Sequence, residues 1–261
     1  YYAEKMRQGE FGRNSTIHLR TLDGQTYFID GRHRIKGIIE SGTTQNFIVI
    51  SDTVNSRTEL IEEFRRINDA KVVSQLDYCV AAGVDTETGL SRKQISLLLG
   101  AATLLAEGFD QSAHGGSVDV RDKISVIREY QDAADEYFGA VQPAPKIIRN
   151  SFRWSATIAV GIVTFKDSVD LYGHDKVFSF WDGAARMVNE KTGDPRGTLV
   201  RFMLKTTPPT TNPQPGVDAK PINYIARYIA SCFNAWVENR TISNARPKID
   251  EPICIRGSRL K

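Results

Sequence analysis

Asp30-Gly31-Arg32-His33-Arg34 gathers an acid, a glycine, an imidazole and two guanidinium groups between a strand-like run, Tyr27-Phe28-Ile29, and a stretch at helical spacing. At such a junction glycine lets the backbone turn tightly. The first N–H groups of the helix are unpaired there, and the positive end of its dipole points beyond the strand. That geometry favours an anion. Arg34 can bracket phosphate oxygens with two parallel hydrogen bonds, and His33 can donate one more. Three roles compete for Asp30: capping the helix, orienting His33, or acting as a base. The alternative is an N-cap aspartate followed by solvated arginines. Cations are disfavoured at a helix N-terminus, so two arginines and a histidine in one first turn favour a ligand site over that alternative. On this reading Arg34 is a surface residue whose removal costs about 0.5 kcal/mol or less.

The elements that position this segment are short. Residues 16–20 and 26–30 read as two strands joined by Leu22-Asp23-Gly24-Gln25, a tight Asp-Gly hairpin turn. Residues 32–41 follow as a helix with Ile35, Ile38 and Ile39 on one face and Gly42 as its left-handed C-cap. Phe47-Ile48-Val49-Ile50 then reads as a buried strand. Helices dominate beyond residue 55. Ser56 with Glu59 and Ser91 with Gln94 are capping-box signatures, the first opening a helix with Leu60, Ile61, Phe64 and Ile67. Further helices are expected near 120–138, 151–165, 175–189, 195–205 and 221–238, with Asp194-Pro195 as N-cap and first residue of the one at 195. Residues 208–216, rich in proline, read as an exposed loop. The expected fold class is α+β, with a small unit over residues 1–55 and a helical domain over 56–261.

With 261 residues, 41% of them hydrophobic and 25% charged, the chain can bury a real core. Its longest apolar run, Ala156 to Phe165, is about half the roughly 20 residues of a membrane-spanning helix, so no membrane partner is expected. Cys79, Cys232 and Cys254 lack the paired spacing of a zinc site or a disulfide framework, which fits a reducing cytoplasm. The chain opens on Tyr1-Tyr2, so residues upstream of the first element are expected. The net charge of +3 is uneven: residues 1–42 carry +2, residues 219–261 carry +5, and the middle is acidic.

The run from Tyr27 through Asp30-Gly31-Arg32-His33-Arg34 to Ser41-Gly42 resembles the DGQHR-type motif of the ParB/sulfiredoxin-like superfamily, in which a strand ends in such a sequence and enters a helix. Tyr2-Ala3-Glu4-Lys5-Met6-Arg7-Gln8-Gly9-Glu10-Phe11 is similar to the helix before that motif in ParB-like proteins of phages and mobile elements. Glu63 to Lys71 and Phe233-Asn234-Ala235-Trp236 resemble later segments of that group. The resemblance implies a ParB/sulfiredoxin-like fold for the N-terminal unit. It also implies a nucleotide-phosphate site, with Gly31, Arg32, His33 and Arg34 holding phosphates of ATP or CTP, with or without magnesium, and Asp30 and His33 as the catalytic candidates. Arg32 stands where glutamine is commoner. No cysteine lies in the motif, which argues against sulfiredoxin chemistry, and the longer nucleotide motifs of the ParB clamp are not evident.

Glu4 and Glu10 are candidate bases by position alone and read better as solvated carboxylates. Ser91-Arg92-Lys93-Gln94 reads as a capped core helix rather than the start of a helix-turn-helix. His114 has no partner at metal-ligand spacing, and no metal site is expected. Tyr224, Tyr228, Phe233 and Trp236 read as a core stripe rather than a base-stacking platform. Arg246, Lys248, Arg256 and Arg259 form a basic segment that could graze nucleic acid or could be a solvated tail. The leading expectation is a nucleotide-binding ParB-like protein working on or beside DNA, with homo-oligomerisation left open. An ATP-dependent phosphotransferase for a small molecule and a non-catalytic interaction protein on the same scaffold are the alternatives.

Overall fold

The computed structural model describes residues 1–11, 15–68, 74–109, 118–207, 221–245, 247 and 253–258. The expected loop at 208–216 and His114 lie outside them. The chain forms two compact units, residues 1–83 and 84–261. The first is α+β and the second is helical.

The N-terminal unit runs α1 (Tyr2–Arg7), β1 (Thr16–Leu22), β2 (Gln25–Asp30), α2 (Arg32–Ser41), β3 (Ile48–Thr53), α3 (Arg57–Asn68) and α4 (Gln75–Ala81). Its sheet has the order β2-β1-β3, with β2 antiparallel and β3 parallel to the central strand. The hairpin turn forms at Asp23 and Gly24, whose φ of 50° and 76° match a turn that needs two left-handed residues. Gly42 ends α2 at φ 67°.

Two expectations about apolar residues are corrected. The run around Ile48-Val49-Ile50 is a strand, but β3 is exposed along its whole length. It sits at the sheet edge, and α3 packs on β2 and β1 instead. There Leu22, Ile29, Val54 and Leu60 make a small core. The buried position of α2 is Gly37 rather than its isoleucines, and Ile39 is 77% exposed. A Cβ at Gly37 would stand 2.8 Å from Cβ of Tyr2, so the missing side chain is what lets α1 lie against α2. Because α3 belongs to this sheet, the compact unit extends to Gly83 rather than ending near residue 55.

The helical unit comprises α5 (Val84–Thr88), α6 (Arg92–Glu107), α7 (Val120–Glu129), α8 (Gln131–Val141), α9 (Lys146–Arg149), α10 (Ser155–Val163), α11 (Val169–Tyr172), α12 (His174–Ala185), α13 (Pro195–Lys205) and α14 (Ile222–Val237). The stretch expected at 120–138 is broken at Tyr130, and the one at 175–189 stops early because Met187 takes φ 59°. α10 is the centre: every residue from Ala156 to Val163 is buried, and it packs on α6, α8 and α14. Its continuation, Thr164–Ser168, is a wider π turn. There Thr164 Oγ1 donates to the Gly161 carbonyl at 2.7 Å and accepts from the buried Trp181 indole at 2.8 Å. Tyr137 packs edge-on against Trp181 with ring centroids 5.2 Å apart, and its hydroxyl donates to the Phe152 carbonyl. Among the described residues no helix is long and apolar enough to cross a membrane.

α13 begins as its sequence predicts. Asp194 is the N-cap and accepts from the Arg196 backbone N–H at 2.9 Å. The same carboxylate takes two hydrogen bonds from the Arg196 guanidinium, at 3.1 and 2.8 Å, and Arg196 lies 4.3 Å from the centre of the Trp236 ring. Both charged residues are buried. Burial pushes the Asp194 carboxyl up, but the hydrogen bonds from Arg196 and from the Glu190 backbone outweigh it and hold the group below its ordinary value.

Candidate functional site

Gly31 makes the junction between β2 and α2. Its φ is 99°, and a Cβ there would meet Ile17 of β1 at 3.0 Å from Cγ1 and 3.3 Å from Cα. Conformation and close approach both require glycine. Gly31 itself occupies the N-cap position, so Asp30 does not cap the helix, and no other side chain does. The first turn of α2 holds no acidic residue.

Asp30 turns to Arg34 instead. Its Oδ2 accepts from Arg34 Nη1 at 3.2 Å, and the same Nη1 donates to the Thr16 carbonyl at the start of β1. Arg34 therefore ties two strands to the helix, and its side chain is only 19% exposed. This corrects the expectation of a free surface arginine: sequence spacing could not show that Thr16, fourteen residues before Asp30, comes to lie beside it. Asp30 is the helix-to-strand partner rather than the orienter of His33, because among the described residues the His33 side chain has no hydrogen bond. Arg32 and His33 are exposed, and neither is in an ion pair with a described residue.

One residue at this junction was missed by sequence reasoning. His18 of β1 is in register with Asp30 across a bulge, and its Nδ1 is buried without a hydrogen-bond partner. The sequence carries no signal for it, since Thr16-Ile17-His18-Leu19-Arg20 alternates polar and apolar residues as any half-buried strand does.

The junction thus presents uncapped backbone N–H groups, a close-packed glycine and two outward nitrogen-bearing side chains, with no carboxylate left over in the first turn. These residues fit a phosphate, which would neutralise the helix end and accept from Arg32 and His33. A general base is less well served, because the Asp30 carboxylate is already held by a guanidinium.

Elsewhere the candidates behave differently. Glu4 accepts from Arg7 and Gln8 of its own helix, both at 2.8 Å, as a solvated helix carboxylate does. Ser91 and Gln94 complete a reciprocal capping box. Phe233 and Ala235 are buried, Trp236 Nε1 donates to the Lys176 carbonyl, and Asn234 grips the last described segment through the Cys254 carbonyl and the Arg256 N–H. The Phe-Asn-Ala-Trp sequence is thus an anchoring device in this unit. Arg246, Lys248 and Arg259 lie outside the described residues. Arg256 is exposed but paired with Glu238 at 2.6 Å. The Arg240 guanidinium, with that of Arg256, holds the Glu238 carboxyl below its ordinary value. Residues 253–258 are not a solvated tail, since Ile253 and Ile255 are buried and Ser258 donates to Asp167. Among the described residues no group of three His, Cys, Asp or Glu is placed to hold a metal.

Comparison with protein-family models, with curated proteins and with solved structures gives no match to this chain.

Proposed function

We propose that the N-terminal unit is a ParB/sulfiredoxin-like phosphate-binding unit that holds a nucleotide, ATP or CTP, at the junction of β2 and α2, and that the protein works on or beside nucleic acid. The observation that carries this reading is the uncapped first turn of α2, which has two outward side chains, Arg32 and His33, with no protein partner among the described residues. Gly31 and the backbone N–H groups receive the phosphate, Arg32 supplies charge, and His33 donates a hydrogen bond. Arg34 holds the frame and adds its charge from behind. The role assigned here is binding. Asp30 is a frame residue, and any transfer or hydrolysis would need a base from elsewhere.

The test is thermal denaturation with ATP, ADP, CTP, GTP and a short DNA duplex, with and without magnesium, on the wild type and on Arg32→Ala and His33→Ala. A ligand at 100 times its dissociation constant adds about 2.7 kcal/mol. The expected outcome is a nucleotide-specific shift that both variants reduce while melting normally without ligand. No shift with any nucleotide would overturn the reading.

A non-catalytic interaction unit is the second reading, and one observation favours it. Ile48, Val49 and Ile50 expose between 43% and 56% of their surface on an edge strand. Such an edge offers both unpaired backbone groups and apolar area to another chain.

A further inference from the structure

Several cations of the helical unit are answered by carboxylates. Arg128 pairs with Glu87 at 2.7 Å, Arg186 with Asp182 at 2.9 Å, Arg196 with Asp194 at 2.8 Å and Arg256 with Glu238 at 2.6 Å. Three others line one cavity. A cavity of about 420 Å³ opens between the first turn of α6, the end of α8 and the segment that follows α9. Lys93, Arg149 and Arg153 line it, and no carboxylate does. Among the described residues Lys93 and Arg153 have no side-chain partner, and Arg149 donates only through Nε, to the Ala144 carbonyl at 2.9 Å. Lys93 also sits in the first turn of a sixteen-residue helix with no acidic residue in that turn, where the dipole opposes a cation.

The walls are of another kind. Leu97, Phe138 and Val141 face the same space. The α6 backbone makes little call on an anion here, because Ser91 and Gln94 already cap it. The cavity is lined by three cationic and several apolar side chains, at a volume suited to a small organic ligand. Three cations match a doubly charged phosphomonoester better than a carboxylate, and the apolar wall matches a ring.

We propose that this cavity binds a small organic phosphate, a phosphomonoester carried on a ring-sized apolar body, with Lys93, Arg149 and Arg153 on the phosphate and Phe138 and Leu97 on the ring. The site belongs to the helical unit and is independent of the nucleotide reading given for the other unit.

Phenyl phosphate, inorganic phosphate and phenol, titrated calorimetrically into the full chain, test it. Phenyl phosphate is expected to bind about tenfold or more tightly than inorganic phosphate, because only it buries a ring against the wall. Lys93→Ala and Arg153→Ala are each expected to weaken it about tenfold, as loss of one charged donor does. Lys93 is exposed, so its variant keeps the fold even if that at Arg153 does not. Lys191→Ala, at an exposed lysine of the same unit that does not line the cavity, should leave phenyl phosphate binding unchanged. Equal affinity for phenyl phosphate and inorganic phosphate would overturn the proposal, as would indifference to Lys93→Ala or an equal loss of binding in Lys191→Ala. So would a thymidine oligonucleotide that outcompetes phenyl phosphate at this site with a steep salt dependence, because that marks a nucleic-acid groove.

Discussion

Two helices of this chain begin with the same residue types at the same spacing, Asp30-Gly31-Arg32 before α2 and Asp194-Pro195-Arg196 before α13, and their chemistry comes out opposite. At α13 the proline fits the first helical position, the aspartate becomes the N-cap, and the arginine folds back onto the same carboxylate in a buried pair. At α2 the glycine takes the left-handed N-cap position itself and displaces the aspartate, which bonds Arg34 instead and leaves Arg32 outside. The two Asp-x-Arg starts differ in their middle residue and in which residue takes the N-cap position, Gly31 at the open one and Asp194 at the closed one. A closed start is finished structurally, whereas the open one leaves the Arg32 charge without a protein partner among the described residues.

The largest effect expected from this contrast is at the closed start. Asp194→Ala removes the cap and leaves Arg196 buried without its main partner, which should cost about 3–5 kcal/mol, measured as a fall in the urea midpoint. An unchanged midpoint would erase the distinction between the two starts. The pair also has a pH signature. The Asp194 carboxyl is held below its ordinary value in the fold, so its contribution is complete above the ordinary carboxylate pKa of about 3.9 and is lost as pH falls through the lowered value. The acid limb of wild-type stability should therefore be steeper than that of Asp194→Asn.

At the open start, Arg34→Ala should cost about 1.5–3 kcal/mol, since a charged donor to Asp30 and Thr16 is lost, whereas Arg32→Ala should stay within about 0.5 kcal/mol. Equal costs would mean that Arg32 is structural after all. Gly31→Ala should cost about 1–3 kcal/mol from its left-handed backbone and from crowding Ile17. A smaller effect than at Gly31 is expected at the middle residue of the closed start, where Pro195→Gly should cost about 0.4–1 kcal/mol through the freer unfolded chain. A much larger loss there would show that proline itself holds the pair together.

What was legible in the sequence follows the range of the interactions involved. The Asp-Gly hairpin, the Ser91–Gln94 capping box, the Asp194-Pro195 start and the Gly42 stop are settled within a few residues, and all four form where their letters place them. Burial was less legible. Ile48-Val49-Ile50 has the composition of a buried strand, and only the sheet order puts it at an open edge. α4 and α5, at seven and five residues, are too short to show a period and were not expected. The π turn at Thr164 likewise meets a neighbour distant in sequence, the Trp181 indole. In the candidate site the junction and its glycine were readable. The diversion of Asp30 to Arg34, and the presence of His18, were not, because both depend on which strand lies beside β2.

The placement of Trp181 against Tyr137 and Thr164 also makes the protein its own optical gauge. Trp154, Trp181 and Trp236 all lie beyond residue 83, so the N-terminal unit holds none of the chain's three tryptophans. Intrinsic indole emission excited at the red edge therefore reports the helical unit alone, with the buried Trp181 contributing a blue-shifted component that reddens when that core opens. Far-ultraviolet circular dichroism records both units together. Superimposable unfolding curves from the two signals would mean that the chain melts as one cooperative body, and a dichroic transition preceding the emission change would show the strand-bearing unit coming apart first.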